Sequence, residues 1–162
     1  MRSRRLTLAL VAVVFVLASG VHAQQLADAQ SRREAIMLYR TGLEFFTAEK
    51  FDRAAEEFTK ATHKDPLFTL AHYQAGQSYM NLKRYANAIQ AFQRCIEASR
   101  ALYGLAETNR FAVEQARDDE IREMRETINK LQQSGHPLLA TRAEQHMIDL
   151  EKQRTSLSGG FH

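Results

Sequence analysis

The chain has 162 residues, with 22 Lys and Arg against 19 Asp and Glu, a formal charge of +3. Three of the basic residues, Arg2, Arg4 and Arg5, lie at the very start; without them the count is 19 against 19, so the charge is no argument for nucleic acid. Cys95 is the only cysteine, which excludes an internal disulfide framework and leaves the fold to its core.

In chain order, the basic start is followed by the uncharged apolar run Leu6 to Ala18 and then by "SGVHAQ", with small Val21 and Ala23 where an export peptidase reads. This is the three-part layout of a secretory signal, predicted to span 1–23 and to be cleaved after Ala23. The 13-residue run is shorter than the roughly 20 apolar residues a spanning helix needs, so no membrane span is expected after cleavage. The mature chain is expected to be exported, periplasmic or secreted, with 24–34 as a short N-terminal segment.

Glycine and proline are scarce beyond residue 24 and no stretch alternates with period two, which predicts helix nearly throughout. "FDRAAEEFTKATHKDP", Phe51 to Pro66, and "YANAIQAFQRCIEASR", Tyr85 to Arg100, keep side-chain size at an interval of 34 residues. Phe51 pairs with Tyr85, Ala54 with Ala88, Phe58 with Phe92 and Ala61 with Cys95; upstream, Tyr39 pairs with Tyr73, Gly42 with Gly76 and Phe45 with Tyr79. The units are 35–68 and 69–102, with helices predicted near 35–48, 51–64, 69–82 and 85–100. Gly42 and Ala54 fit where two antiparallel helices approach closely, and Phe45 and Phe58 fill the space beside them. "KDP" ends the second helix, because proline disfavours helical backbone in Asp65 before it. Cys95 stands in the slot of Ala61 and reads as a small packed residue rather than a reactive thiol.

The repeating unit resembles the tetratricopeptide repeat. The landmarks of that family hold Gly42, Phe45, Ala54, Phe58, Ala61 and Pro66 in the first unit, and Gly76, Tyr79, Ala88, Phe92, Cys95 and Arg100 in the second. Arg100 is the serious departure, and His72 stands where the first unit has the large residue Leu38. The resemblance implies an all-α fold, an α-α superhelix of helical hairpins. It also implies that the first helix of each unit lines a concave groove for a protein or peptide partner. The groove residues carried over are Ile36, Tyr39, Arg40, Leu43, Phe46 and Thr47, then Leu70, Tyr73, Gln74, Gln77, Met80 and Asn81. Chaperone-binding members clamp a terminal carboxylate with a lysine and an asparagine; Tyr39, Leu43, Tyr73 and Gln77 occupy those places here, so that clamp is absent. The lining suits an apolar segment, with Gln74, Gln77 and Asn81 placed to meet peptide backbone.

Residues 103–155 read as an irregular C-terminal helical hairpin, and 156–162 as a disordered tail. Val113, Ala116, Ile121, Met124, Ile128 and Leu131 form one stripe in 107–134, while Glu123, Arg125, Glu126 and Lys130 read as a solvated face. Asp118, Asp119 and Glu120 read as a helix start. After "SGHP", Leu138, Leu139, Ala143, Met147 and Leu150 mark a last helix to about Gln153. The hairpin is expected to cap the stack, in preference to pairing with another copy. Whether a partner or the chain's own helices fill the groove stays open. No HExxH, Gly-rich phosphate loop or nucleophile–base motif appears, so no enzyme, cofactor or metal is expected. Three functions follow, in order: an exported interaction module, a homo-oligomerising scaffold through 107–134, and a carrier of a small hydrophobic ligand.

Overall fold

The computed structural model describes residues 25–159, so the predicted signal 1–23 and the end of the predicted tail lie outside the described residues. Six helices follow in order: α1 Ala29–Thr47, α2 Phe51–Lys64, α3 Thr69–Asn81, α4 Tyr85–Ala106, α5 Arg110–Gln133 and α6 Pro137–Gly159. They pair as hairpins α1/α2, α3/α4 and α5/α6, and α3 packs on α2 so that the second hairpin stacks on the first.

Each hairpin closes on the same backbone turn. Glu49 and Lys83, at equivalent repeat positions, both take φ 58°, and Gly135 takes φ 79°. At each turn the amide of the next residue reaches back to a helix carbonyl: Lys50 N to Phe45 O, Arg84 N to Tyr79 O and His136 N to Leu131 O, all at 2.9 Å. A left-handed residue followed by this six-to-one bond satisfies carbonyls left open at the helix end.

Inside the hairpins, the helices touch at glycine. A Cβ on Gly42 would stand 2.8 Å from the Phe58 ring, and one on Gly76 would stand 2.5 Å from the Phe92 ring. Between hairpins, Asp65 is extended before Pro66 and ends α2. Its buried carboxylate accepts from Leu67 N and pairs with Arg32.

Three boundaries differ from the sequence expectation. α1 begins six residues earlier, because the Asp28 carboxylate caps it by accepting from Gln30 N and Ser31 N. α4 runs six residues further, since Arg100 replaces the proline that stops α2. α6 passes Gln153 and continues to Gly159, into the segment read as a disordered tail.

The third hairpin does not continue the stack as a third repeat. α5 crosses to the side of α1 and α3, while α6 lies against Tyr73, Ser99 and Tyr103. One core therefore contains Tyr39, Phe46, Phe58, Leu70, Met124 and Leu131 together. A smaller core joins Leu67, Ala98, Leu102 and Val113, with Leu26 of the N-terminal segment against it. No described helix is long and apolar enough to cross a membrane.

Candidate functional site: the concave face

α1 and α3 present the predicted lining residues toward one side of the hairpin stack, and α5 and α6 cover that side. Tyr39, Leu43, Phe46, Leu70 and Gln74 are buried; Ile36, Thr47, Tyr73 and Gln77 are half-buried; Arg40, Met80 and Asn81 remain exposed. The chain's own hairpin thus fills the groove.

Polar groups fix that hairpin in register. The Tyr39 hydroxyl lies 2.6 Å from Thr127 Oγ1, and burial drives the phenol's pKa well above the ordinary tyrosine range. Arg40 donates twice to the buried Glu123 carboxylate, at 2.9 and 2.7 Å, an arrangement that raises the guanidinium pKa further. Glu120 accepts from Thr69 N at 2.6 Å, which meets an orphan amide of the α3 N-terminus, and from Thr69 Oγ1 at 2.8 Å. Arg117, 0% exposed, donates to Glu120 at 2.7 Å, to Thr69 Oγ1 at 3.1 Å and to Ser99 at 3.0 Å. At the far end His136 Nε2 sits 3.2 Å from Thr47 O. α6 adds an imidazole: His146 stacks on Tyr73 with ring centroids 4.1 Å apart and planes 5° apart.

Two sequence readings need correction here. Glu123 was expected on a solvated face and Glu120 at a helix start, yet both are buried in the middle of α5. Their partners, Arg40 and Thr69, lie in helices distant along the chain, so periodicity within 107–134 does not reveal the pairing. The stripe from Val113 to Leu131 is buried inside the molecule. The groove itself leaves a gap of about 10 Å³ among Phe46, Tyr73, Leu131 and Leu139, at most the room of one water.

Residues 39–102 match the family described as tetratricopeptide repeat. That segment carries a tetratricopeptide-repeat pair. No curated protein matches the chain. In this segment the side of α1 and α3 that carries the predicted lining meets the protein's own third hairpin.

Burial pushes the Cys95 thiol up to about 12 and holds His146 below its ordinary 6.5. Burial thus favours the protonated thiol and the neutral ring. Among the described residues no three His, Cys, Asp or Glu side chains converge as metal ligands.

The surface that sequence reasoning missed is on α4. In the first repeat, α3 covers the outer face of α2, and Ala55 is 3% exposed. The equivalent residue one repeat later is Ile89, 59% exposed, because no helix takes that place on α4. Tyr85 and Ile96 share its face, at 56% and 52%. The signal was present: Ala55 and Thr62 become Ile89 and Ile96 across the repeat, a change toward large apolar residues at the end of the stack.

Proposed function

We propose that this chain is an exported, non-enzymatic protein-interaction module that receives its partner on the outer face of α4, its concave groove being filled from within. The observation that carries the reading is the exposure of Ile89 where Ala55, its equivalent, is covered by the next hairpin. A terminal repeat that only caps a stack is expected to turn a polar face outward. The opposite end does so: α1 shows Arg33, Thr41 and Glu44 there, with Met37 the lone large apolar side chain. α4 instead shows Tyr85, a residue type that anchors protein interfaces, flanked by the apolar Ile89 and Ile96.

The test is capture of a partner by the chain lacking its leader. Ile89→Glu is expected to abolish capture, whereas Leu138→Glu, at an exposed apolar residue where α6 starts beside the end of α1, is expected to leave it intact. Capture that survives Ile89→Glu refutes the α4 reading. Export is tested by fusing residues 1–30 to a phosphatase active only outside the cytoplasm; an inactive fusion refutes it.

A further inference from the structure

His72 stands where the first repeat holds the apolar Leu38, and it lines the floor of a cleft. α2 and α4 form the walls of this cleft and α3 its floor; its volume is about 430 Å³, within the range of small-molecule sites. Its two ends differ. Arg84 pairs with Asp52 where α4 and α2 begin, and Pro66 and Ala98 meet at the other end, so the two walls run the same way. Toward the helix starts the lining is Thr59, Asn87, Gln90 and the Tyr79 ring. Toward the helix ends it is His63, His72, Arg94 and Glu97.

The charged end offers both signs. His72 is 7% exposed, and its Nε2 lies 3.0 Å from Pro66 O. A carbonyl only accepts, so this nitrogen carries the ring hydrogen. Burial favours the neutral ring, which leaves Nδ1 a lone pair with no partner among the described residues. Arg94 and Glu97 both act electrostatically on that ring and stand three residues apart on α4, in range for an ion pair. Such neighbours pair elsewhere, as Lys60 does with Glu57 and Arg122 with Asp119. Arg94 and Glu97 make no hydrogen bond or ion pair among the described residues. One cation and two acceptors are thus available around a single buried imidazole.

The geometry points to a site for a free α-amino acid with an amide or hydroxyl side chain. Its carboxylate meets Arg94, its ammonium donates to Glu97 and to His72 Nδ1, and its side chain runs toward Thr59, Asn87 and Gln90. A simple anion would set its charge beside Glu97, and a simple cation would set its charge beside Arg94; a zwitterion satisfies both. At the other end Asn87 and Gln90 each carry donors and an acceptor, which an apolar side chain would strip of water without replacing it. The inference is independent of the partner face, because Ile89 and Ile96 do not line the cleft.

Amide NMR spectra of the leaderless chain titrated with L-glutamine are expected to shift at the residues of α2 and α4 that line the cleft. About ten non-hydrogen atoms in an open cleft put the dissociation constant on the order of 100 μM. L-Glutaminamide lacks the carboxylate and N-acetyl-L-glutamine lacks the ammonium; each should bind at least about tenfold more weakly, the loss of one charged hydrogen bond. Arg94→Gln should weaken L-glutamine about tenfold yet add nothing to the loss seen with L-glutaminamide. Glu97→Gln should behave likewise toward N-acetyl-L-glutamine. Both side chains are exposed, so the two variants keep the fold. L-Serine should bind as well, and L-leucine at least about tenfold more weakly than L-glutamine. No shift at the cleft up to about 20 mM L-glutamine or L-serine, equal binding of L-leucine, or losses that add across either pair overturns the inference.

Discussion

At the scale of single residues, the contacts that recur every 34 positions differ in how much they tolerate. Gly42 and Gly76 both face a phenylalanine ring, but Phe58 is fully buried while Phe92 borders solvent at the open end. Gly42→Ala has no ring movement to relieve its clash and should cost about 1–3 kcal/mol, the range for overpacking. Gly76→Ala should cost less although its built contact is shorter, because Phe92 has room to shift. Urea melts of the two variants decide this, and an equal cost would refute the argument. The turns give the opposite sign. Glu49 and Lys83 hold left-handed backbone without being glycine, so Lys83→Gly should stabilise by roughly 0.5–1 kcal/mol, the left-handed strain exceeding the entropy that glycine adds. These features were legible to different degrees. The glycine and phenylalanine positions show in the sequence because size recurs; the left-handed turns do not, because no glycine marks them.

The elements were legible where local chemistry repeats and obscure where long-range pairing decides. α2 and α3 have the predicted extent, and α1 and α4 overrun it through the Asp28 cap and the absence of a proline at 100. α5 was the hard case. Its charged residues divide between solvent and interior, and the stripe reads the same whichever surface it meets. Arg117 makes the energetic point. It has no solvent contact, its Nε lacks a hydrogen-bond partner, and three of its contacts converge on Glu120, Thr69 and Ser99. Arg117→Met keeps much of the apolar stem but strands the Glu120 charge, which should cost about 3–5 kcal/mol, the range for breaking a buried pair from one side. The double change Arg117→Met with Glu120→Gln should recover part of that loss, since it removes both charges and leaves an amide oxygen to accept from Thr69. Equilibrium unfolding of the three variants tests the coupling; additive losses would show that the two side chains do not act as a pair.

For the whole molecule, two buried imidazoles set the response to acid. His72 and His146 both lie below their unfolded value of 6.5, chiefly because burial disfavours the charged ring. Above 6.5 neither state is protonated; as pH falls below it the unfolded chain takes up protons that the native rings refuse, so the native state loses stability until those rings titrate. Asp65 acts in the opposite sense. Burial raises it above 3.8, so the native state gains a proton first and recovers some stability at lower pH. Melting at about pH 7.5 and 5.5 should show a drop that His146→Phe, which keeps a ring against Tyr73, makes smaller; an unchanged drop would exonerate His146. The larger question is whether the repeat pair stands alone. Two repeats are fewer than such stacks usually need, and the third hairpin supplies the missing cover from the groove side rather than the end. Ending the chain after Ala106 would bare Tyr39, Leu43, Phe46 and Leu70, each a side chain whose full burial stabilises by about 1.5–3 kcal/mol. Even half of that sum rivals the low end of the 5–15 kcal/mol by which whole domains are stable. Residues 25–106 should therefore show weak helicity and no cooperative melt by circular dichroism, and adding 107–159 as a separate chain should restore both. A truncated pair that melts cooperatively on its own would make the hairpin an accessory to the fold, and the groove a surface that a partner is able to enter.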